Sequence, residues 1–162
     1  MTQEKKRILC SVGMRGNCDH VLEQAADLAL VTGADLHILH VAKSFPEDMF
    51  NTLKTNIRDR DTLSALLEQR LEERRLELAQ KVETACTRYP SLQKAVQEQR
   101  VTQSVREGYP GSVIAHFATD GGFSMIVMAA NKQGSTASYA GKITKGVIKR
   151  ATVPVVVVPA AP

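Results

Sequence analysis

The pattern of apolar and polar positions changes period several times along the chain, and each change marks an element. After Arg7, Ile8-Leu9-Cys10-Ser11-Val12 is a nearly continuous apolar run, as a strand buried on both faces requires. The loop Gly13-Met14-Arg15-Gly16-Asn17 interrupts it, and a helix capped by Asn17 or Asp19 follows. Its apolar positions Val21, Ala25 and Leu28 recur at helical spacing, and Gly33 stands where a C-terminal glycine belongs. Leu36 to Val41 reads as the second strand. Residues Lys43 to Asp61 are polar and irregular, with Pro46, and predict a long variable loop with a short helix around Met49 to Lys54.

Thr62 to Tyr89 then reads as a long helix whose apolar stripe is Leu67, Leu71, Leu78, Val82 and Cys86. Pro90 stops it. Val96 to Val105 reads as a third strand, polar at its start and therefore suited to a sheet edge. The turn Glu107-Gly108-Tyr109-Pro110-Gly111 opens a helix from about Pro110 to Thr119, ended by Gly121-Gly122. Met125 to Ala129 is a fully apolar strand, Ala130 to Ala140 a loop of small residues, Gly141 to Arg150 a helix, and Pro154 to Val158 a last strand. Strands alternating with helices predict a doubly wound α/β fold, a five-stranded parallel sheet of order 3-2-1-4-5. No repeat and no domain boundary interrupts the pattern, so residues 1–162 are read as one domain.

Composition narrows the class without changing that picture. Hydrophobic residues make up 43% and charged residues 23% of the 162, close to the globular average. The longest apolar run, Val153 to Pro162, is too short to cross a bilayer. The charged stretch Met1 to Arg7 lacks the apolar region of a secretion signal, so a cytoplasmic protein is expected. Cys10, Cys18 and Cys86 form neither a CxxC pair nor a metal-ligand spacing; they read as free thiols, and no metal is expected. The net charge of +4 is modest, and with aromatics at 4% and no Trp, no nucleic-acid partner is expected. Its distribution is uneven: from Gly121 to Pro162 there is no Asp or Glu, while Lys132, Lys142, Lys145, Lys149 and Arg150 all fall there. Such a stretch suits an anionic ligand, an acidic partner or a solvated helix face.

In open parallel sheets ligands bind beyond the carboxyl ends of the strands. The loop Ala129 to Lys142 lies on that edge, its small residues open to phosphate oxygens and a helix N-terminus behind it. The same composition also suits a connection that binds nothing. The loop is no Walker A motif, because six residues separate Gly134 from Gly141 and Ile143 follows Lys142. Catalytic candidates are few. His37 and His40 are three apart on one strand and point to opposite faces, while His20 and His116 sit on helices. Each reads as a structural histidine, Asp19 as a helix cap, and the chain as no enzyme.

Several segments together resemble the universal stress protein family. They are Arg7 to Val12, Leu36-His37-Ile38-Leu39-His40-Val41, the turn Val105-Arg106-Glu107-Gly108-Tyr109-Pro110, the strand Met125-Ile126-Val127-Met128, and the block from Gly141-Lys142-Ile143-Thr144 through Ala151 to Val158. The resemblance implies a regulatory module of the stress response that binds an adenine nucleotide, ATP or AMP. It places the contacts at Val12, Gly13, Val41, Met128, Ala129, Asn131, Lys132, Gly141, Lys142, Ile143 and Thr144. It also implies a homodimer through the last strand, Val155, Val156, Val157 and Val158. One branch of the family binds ATP through G-x-x-G-x9-G-[ST] and an acid after strand one; another lacks the motif and binds no nucleotide. Here Gly13 replaces the acid, Ala129 replaces the first glycine, Asn131 or Lys132 the second, and Lys142 follows the retained Gly141. A phosphate pocket therefore survives better than an adenosine pocket, and a dimeric interaction protein without nucleotide is the alternative.

Overall fold

A strand buried on both faces needs partners on both edges and helices on both sides, and the chain supplies them. The computed structural model describes residues 5–14, 19–43, 47–56, 59–130 and 141–159. Five strands, β1 (Arg7–Ser11), β2 (Asp35–Ala42), β3 (Val101–Glu107), β4 (Met125–Ala129) and β5 (Val155–Val158), form one sheet. Every pairing is parallel, and the order is β3-β2-β1-β4-β5 as the element pattern predicts. The helices are α1 (Asp19–Thr32), α2 (Glu47–Asn56), α3 (Arg60–Arg88), α4 (Pro90–Gln97), α5 (Pro110–Asp120) and α6 (Lys142–Arg150).

Alternation along each strand divides the core in two. Ile8 and Cys10 join Leu36, Ile38 and Val127 under α1 and α3, whereas Leu9 joins Leu39, Ile126 and Met128 under α5 and α6. Ile8, Leu9 and Cys10 are each fully buried, so β1 is the centre of both layers. Burying one such side chain contributes about 1.5–3 kcal/mol.

Two segments differ from the sequence expectation. Between Lys43 and Asp61 the described residues are mostly helical: α2 runs to Asn56, and α3 starts at Arg60 behind an Asp59 cap. Asp59 accepts from the Asp61 N–H at 3.0 Å and from the Thr62 hydroxyl at 2.9 Å, which satisfies the first turn. Of the α3 stripe, Leu78 and Val82 are buried, Leu71 and Cys86 pack against the core in part, and Leu67 is half-buried.

The stretch from Val96 to Arg100 is not strand. Pro90 ends α3 by driving Tyr89 into extended backbone, φ −121°, and then serves as the first residue of α4. Leu92 and Ala95 are the buried positions of α4, a helical spacing that an extended reading misses. Gln99, with φ +58°, reverses the chain before β3. Arg100 sits in that turn and donates to the Ala29 and Ala34 carbonyls, both at 2.6 Å, closing the C-terminal end of α1.

Edge strand β3 is tied to β2 by His37. One ring nitrogen meets Thr102 Oγ1 at 2.6 Å, the other Ser104 Oγ at 2.7 Å, and the ring stacks on Phe117 at 5.2 Å. Burial first, then the charges of Arg7 and Arg106, lower its pKa from 6.5 to about 4, so the imidazole is neutral at physiological pH. The unfolded chain then binds the extra proton between those values. Stability from this clamp is complete above pH 6.5 and falls as pH drops toward 4. Thermal unfolding across that range should show a smaller pH slope for His37→Gln than for the wild type; identical slopes would contradict the assignment.

Gly108 makes the turn that places Pro110 at the start of α5. Its φ is +148°, its N–H donates to Ala42 O at 3.0 Å, and a Cβ there would lie 2.7 Å from the stiff Val113 side chain. Gly108→Ala should destabilise the fold by about 1–3 kcal/mol in urea unfolding. An unshifted midpoint would contradict the strain argument.

Candidate functional site

The carboxyl ends of β4 and β5 meet the N-terminus of α6, and short hydrogen bonds hold the junction. Ala130 N–H donates to Val158 O at 2.8 Å, and Gly141 N–H donates to Ala130 O at 2.7 Å. Thr144 is 2% exposed, and its hydroxyl lies 2.8 Å from Ala129 O and 3.1 Å from Ala130 O. The hydroxyl that resembled a ligand group thus has a structural role, tying the first turn of α6 to the end of β4. What Thr144 offers outward is its backbone N–H.

Gly141 is the N-cap of α6, extended at φ −72°, ψ 174°, with no side chain to cap the helix. The first N–H groups of a helix have no intrahelical acceptor. Here they belong to Lys142, Ile143 and Thr144, no acidic residue stands in the first turn, and Lys142 is exposed beside them. The arrangement is a positive helix end with an extra cation, suited to an anion.

Val12 and Gly13 stand at the end of β1, next to β4. Val12 is 4% exposed, its N–H donates to Leu39 O at 3.0 Å, and its carbonyl accepts from His40 Nδ1 at 2.9 Å. Its N–H is therefore engaged within the sheet, and its carbonyl keeps one lone pair. Val41 and Met128 are buried together in the layer under α5 and α6. Gly13 is exposed, and a Cβ placed there would meet nothing within 4 Å. The structure thus brings together Met128, Ala129, Gly141, Lys142, Ile143 and Thr144, with Val12 and Gly13 one strand away and Val41 one strand further. Asn131 and Lys132 lie outside the described residues.

A polar cleft of about 500 Å³ opens on the other face of the same edge, and the sequence reading did not single it out. Met14 and Asp19 line one side, and Glu77, Lys81 and Arg88 the other. Asp19 is the first residue of α1, and its carboxylate lies 3.4 Å from both Lys81 Nζ and Arg88 Nη1, so it joins α1 to α3. The available signal was the spacing of Lys81, Thr84 and Arg88 on one face of α3.

The histidines divide as their spacing predicts. His37 faces Phe117 and Phe123, and His40 faces the side of Arg74, Glu77 and Lys81. Burial lowers the His40 pKa, its bond to Val12 opposes that, and the ring is held by a backbone carbonyl rather than by another catalytic group. Among the described residues no three His, Cys, Asp or Glu side chains are grouped to hold a metal ion. No described helix is long and apolar enough to cross a membrane.

The model of the Universal stress protein family matches residues 5–159. No curated protein matches the chain. Among solved structures, universal stress protein UspA from Lactobacillus plantarum is 18% identical with a TM-score of 0.68, over 97% of this chain and 99% of that one. A universal stress protein from Archaeoglobus fulgidus in complex with dAMP is 16% identical with a TM-score of 0.55, over 94% and 96%. A universal stress protein in complex with cAMP is 14% identical with a TM-score of 0.59, over 94% and 95%. At these identities the likeness is one of fold.

Proposed function

The chain belongs to the universal stress protein family, and on that premise we propose that it is a cytoplasmic regulatory module of the stress response that binds ATP or AMP through its phosphates at the N-terminus of α6. The observation that carries this reading is the first turn at Gly141, uncapped by any side chain among the described residues, with Lys142 beside it, on the carboxyl edge of a parallel sheet. Structures of the same fold in complex with cAMP and dAMP support an adenylate as the class of ligand. The first turn of α6 holds no acid or histidine to serve as a general base, so the reading is of a binding module and not an enzyme.

The adenosine end is the weaker half. Gly13 offers no anchor, and the Val12 N–H is already engaged with Leu39, so a base rests on Val41 and Met128 with few polar contacts. That observation favours the second reading, a dimeric stress-response interaction protein that binds no nucleotide. In either reading the chain is a homodimer through Val155, Val156, Val157 and Val158. These residues form the outer strand of the sheet, and only Val158 is buried within one chain. An apolar edge left bare is a template for aggregation.

Calorimetry with ATP, AMP and buffer on protein freed of carried-over ligand tests the nucleotide reading. A charged contact to phosphate is worth about 1.5–3 kcal/mol, so Lys142→Ala should weaken binding roughly tenfold. Gly13→Asp, whose Cβ meets no neighbour within 4 Å, should tighten it. No heat with either nucleotide would select the interaction protein instead. Light scattering at micromolar concentration should give the mass of a dimer, and a monodisperse monomer would remove the β5 interface.

A further inference from the structure

Beyond Lys142, the outer face of α6 carries a pattern of charge that nucleotide binding does not explain. Its cations Lys142, Lys145, Lys149 and Arg150 are all exposed, and none forms an ion pair among the described residues. Lys142, Lys145 and Lys149 fall at helical spacing and make one stripe. Ile148, 50% exposed, lies on one flank of the stripe. On the other flank the Arg150 guanidinium stands 5.8 Å over the ring of Tyr109, which is 51% exposed. Close packing of α5 on α6, where a Cβ on Gly111 would lie 3.4 Å from Gly146 Cα, brings Tyr109 at the N-cap of α5 up to Arg150. Asp120, the last residue of α5, is the sole acid on either helix.

A helix face that only meets water interleaves its charges, as the outer face of α3 does with Arg74–Glu77 at 2.6 Å and Arg75–Glu72 at 3.0 Å. On α6 like charges stand three and four residues apart with no acid between them, an arrangement that costs stability. A partner of opposite charge removes that repulsion. The flanking Ile148, Tyr109 and Arg150 are of the apolar, aromatic and arginine types that carry binding energy at protein interfaces. A membrane fits less well, because Thr144 and Val147 of α6 are buried in its own core and Ile148 alone is left to insert. Duplex DNA would use the charges but has no use for the apolar flank.

We propose that the α6 surface of Lys145, Ile148, Lys149, Arg150 and Tyr109 docks an acidic, partly apolar segment of another protein. The site is separate from the phosphate cradle, so Lys142 is left intact in the test. The probe is a fluorescently labelled peptide of alternating Glu and Leu pairs, read by anisotropy at physiological salt on the full chain. The wild type should bind it, and Lys145→Glu/Lys149→Glu should weaken binding roughly tenfold or more. Ile148→Ala should weaken it by a smaller factor, which a diffuse counterion effect would not do. Circular dichroism confirms that each variant is folded, and Lys94→Glu on α4, which packs on the other face of the sheet, should leave binding unchanged. Failure to bind the peptide, equal binding by the double variant, or indifference to Ile148 would overturn the proposal. Tighter binding to phosphatidylserine–phosphatidylcholine vesicles or to duplex DNA than to the peptide would overturn it too. So would a double variant that changes the mass seen in light scattering, because the face would then be covered by a second copy.

Discussion

Parallel pairing of β1 on both edges is the constraint on which the rest of the molecule depends. β1 has five residues, paired to β2 from Arg7↔Asp35 to Ser11↔Leu39 and to β4 from Ile8↔Met125 to Ser11↔Met128. Each parallel neighbour must be reached by a crossover, and each crossover lays a helix on one face. Helix α1 joins β1 to β2 on one side, and α5 joins β3 to β4 on the other. The chain reverses direction of travel across the sheet between β1 and β4, and that switch point opens the carboxyl edge where α6 begins.

The chemistry at that edge follows from what the fold leaves unsatisfied. The backbone N–H groups just past the strands and at the helix cap are engaged: Val12 N–H with Leu39 O, Ala130 N–H with Val158 O, and Gly141 N–H with Ala130 O. The Thr144 hydroxyl is engaged as well. The donors at the start of α6 are left without intrahelical acceptors, and the proposed phosphate would answer them. On the opposite face of the edge, Asp19 already answers Lys81 and Arg88, so that cleft is internally neutralised. The cations on the outer face of α6 are likewise unanswered within the described residues, which is the basis of the proposed protein partner.

Much of this was legible in the residues. Continuous apolar runs marked β1, β2, β4 and β5 because two-face burial leaves no room for alternation; the third strand does lie at an edge, but the polar residues from which that was argued belong to α4 and the turn before β3. The third strand's first residue was misplaced because Val96 to Val105 carries apolar residues at both ends. The helical spacing of Leu92 and Ala95, with the restriction Pro90 imposes on Tyr89, was the better signal. The helix over Glu47–Asn56 and the Asp59 cap were hidden by a polar composition that suits a loop equally well. At the site, the resemblance to the universal stress protein family, through its retained Gly141, is what pointed to the start of α6. A pairwise contact between distant segments, such as the Thr144 tether, leaves no local pattern, so no reading of periodicity finds it.

The central claim is that the N–H groups opening α6 hold the phosphates of an adenylate. Amide correlation spectra of isotopically labelled protein titrated with AMP and ATP test it most directly. The account predicts that the amides of Lys142, Ile143 and Thr144 move most and together, with Gly13 following. Unmoved amides in α6, or shifts confined to Met14, Asp19 and Lys81 around the opposite cleft, would contradict it.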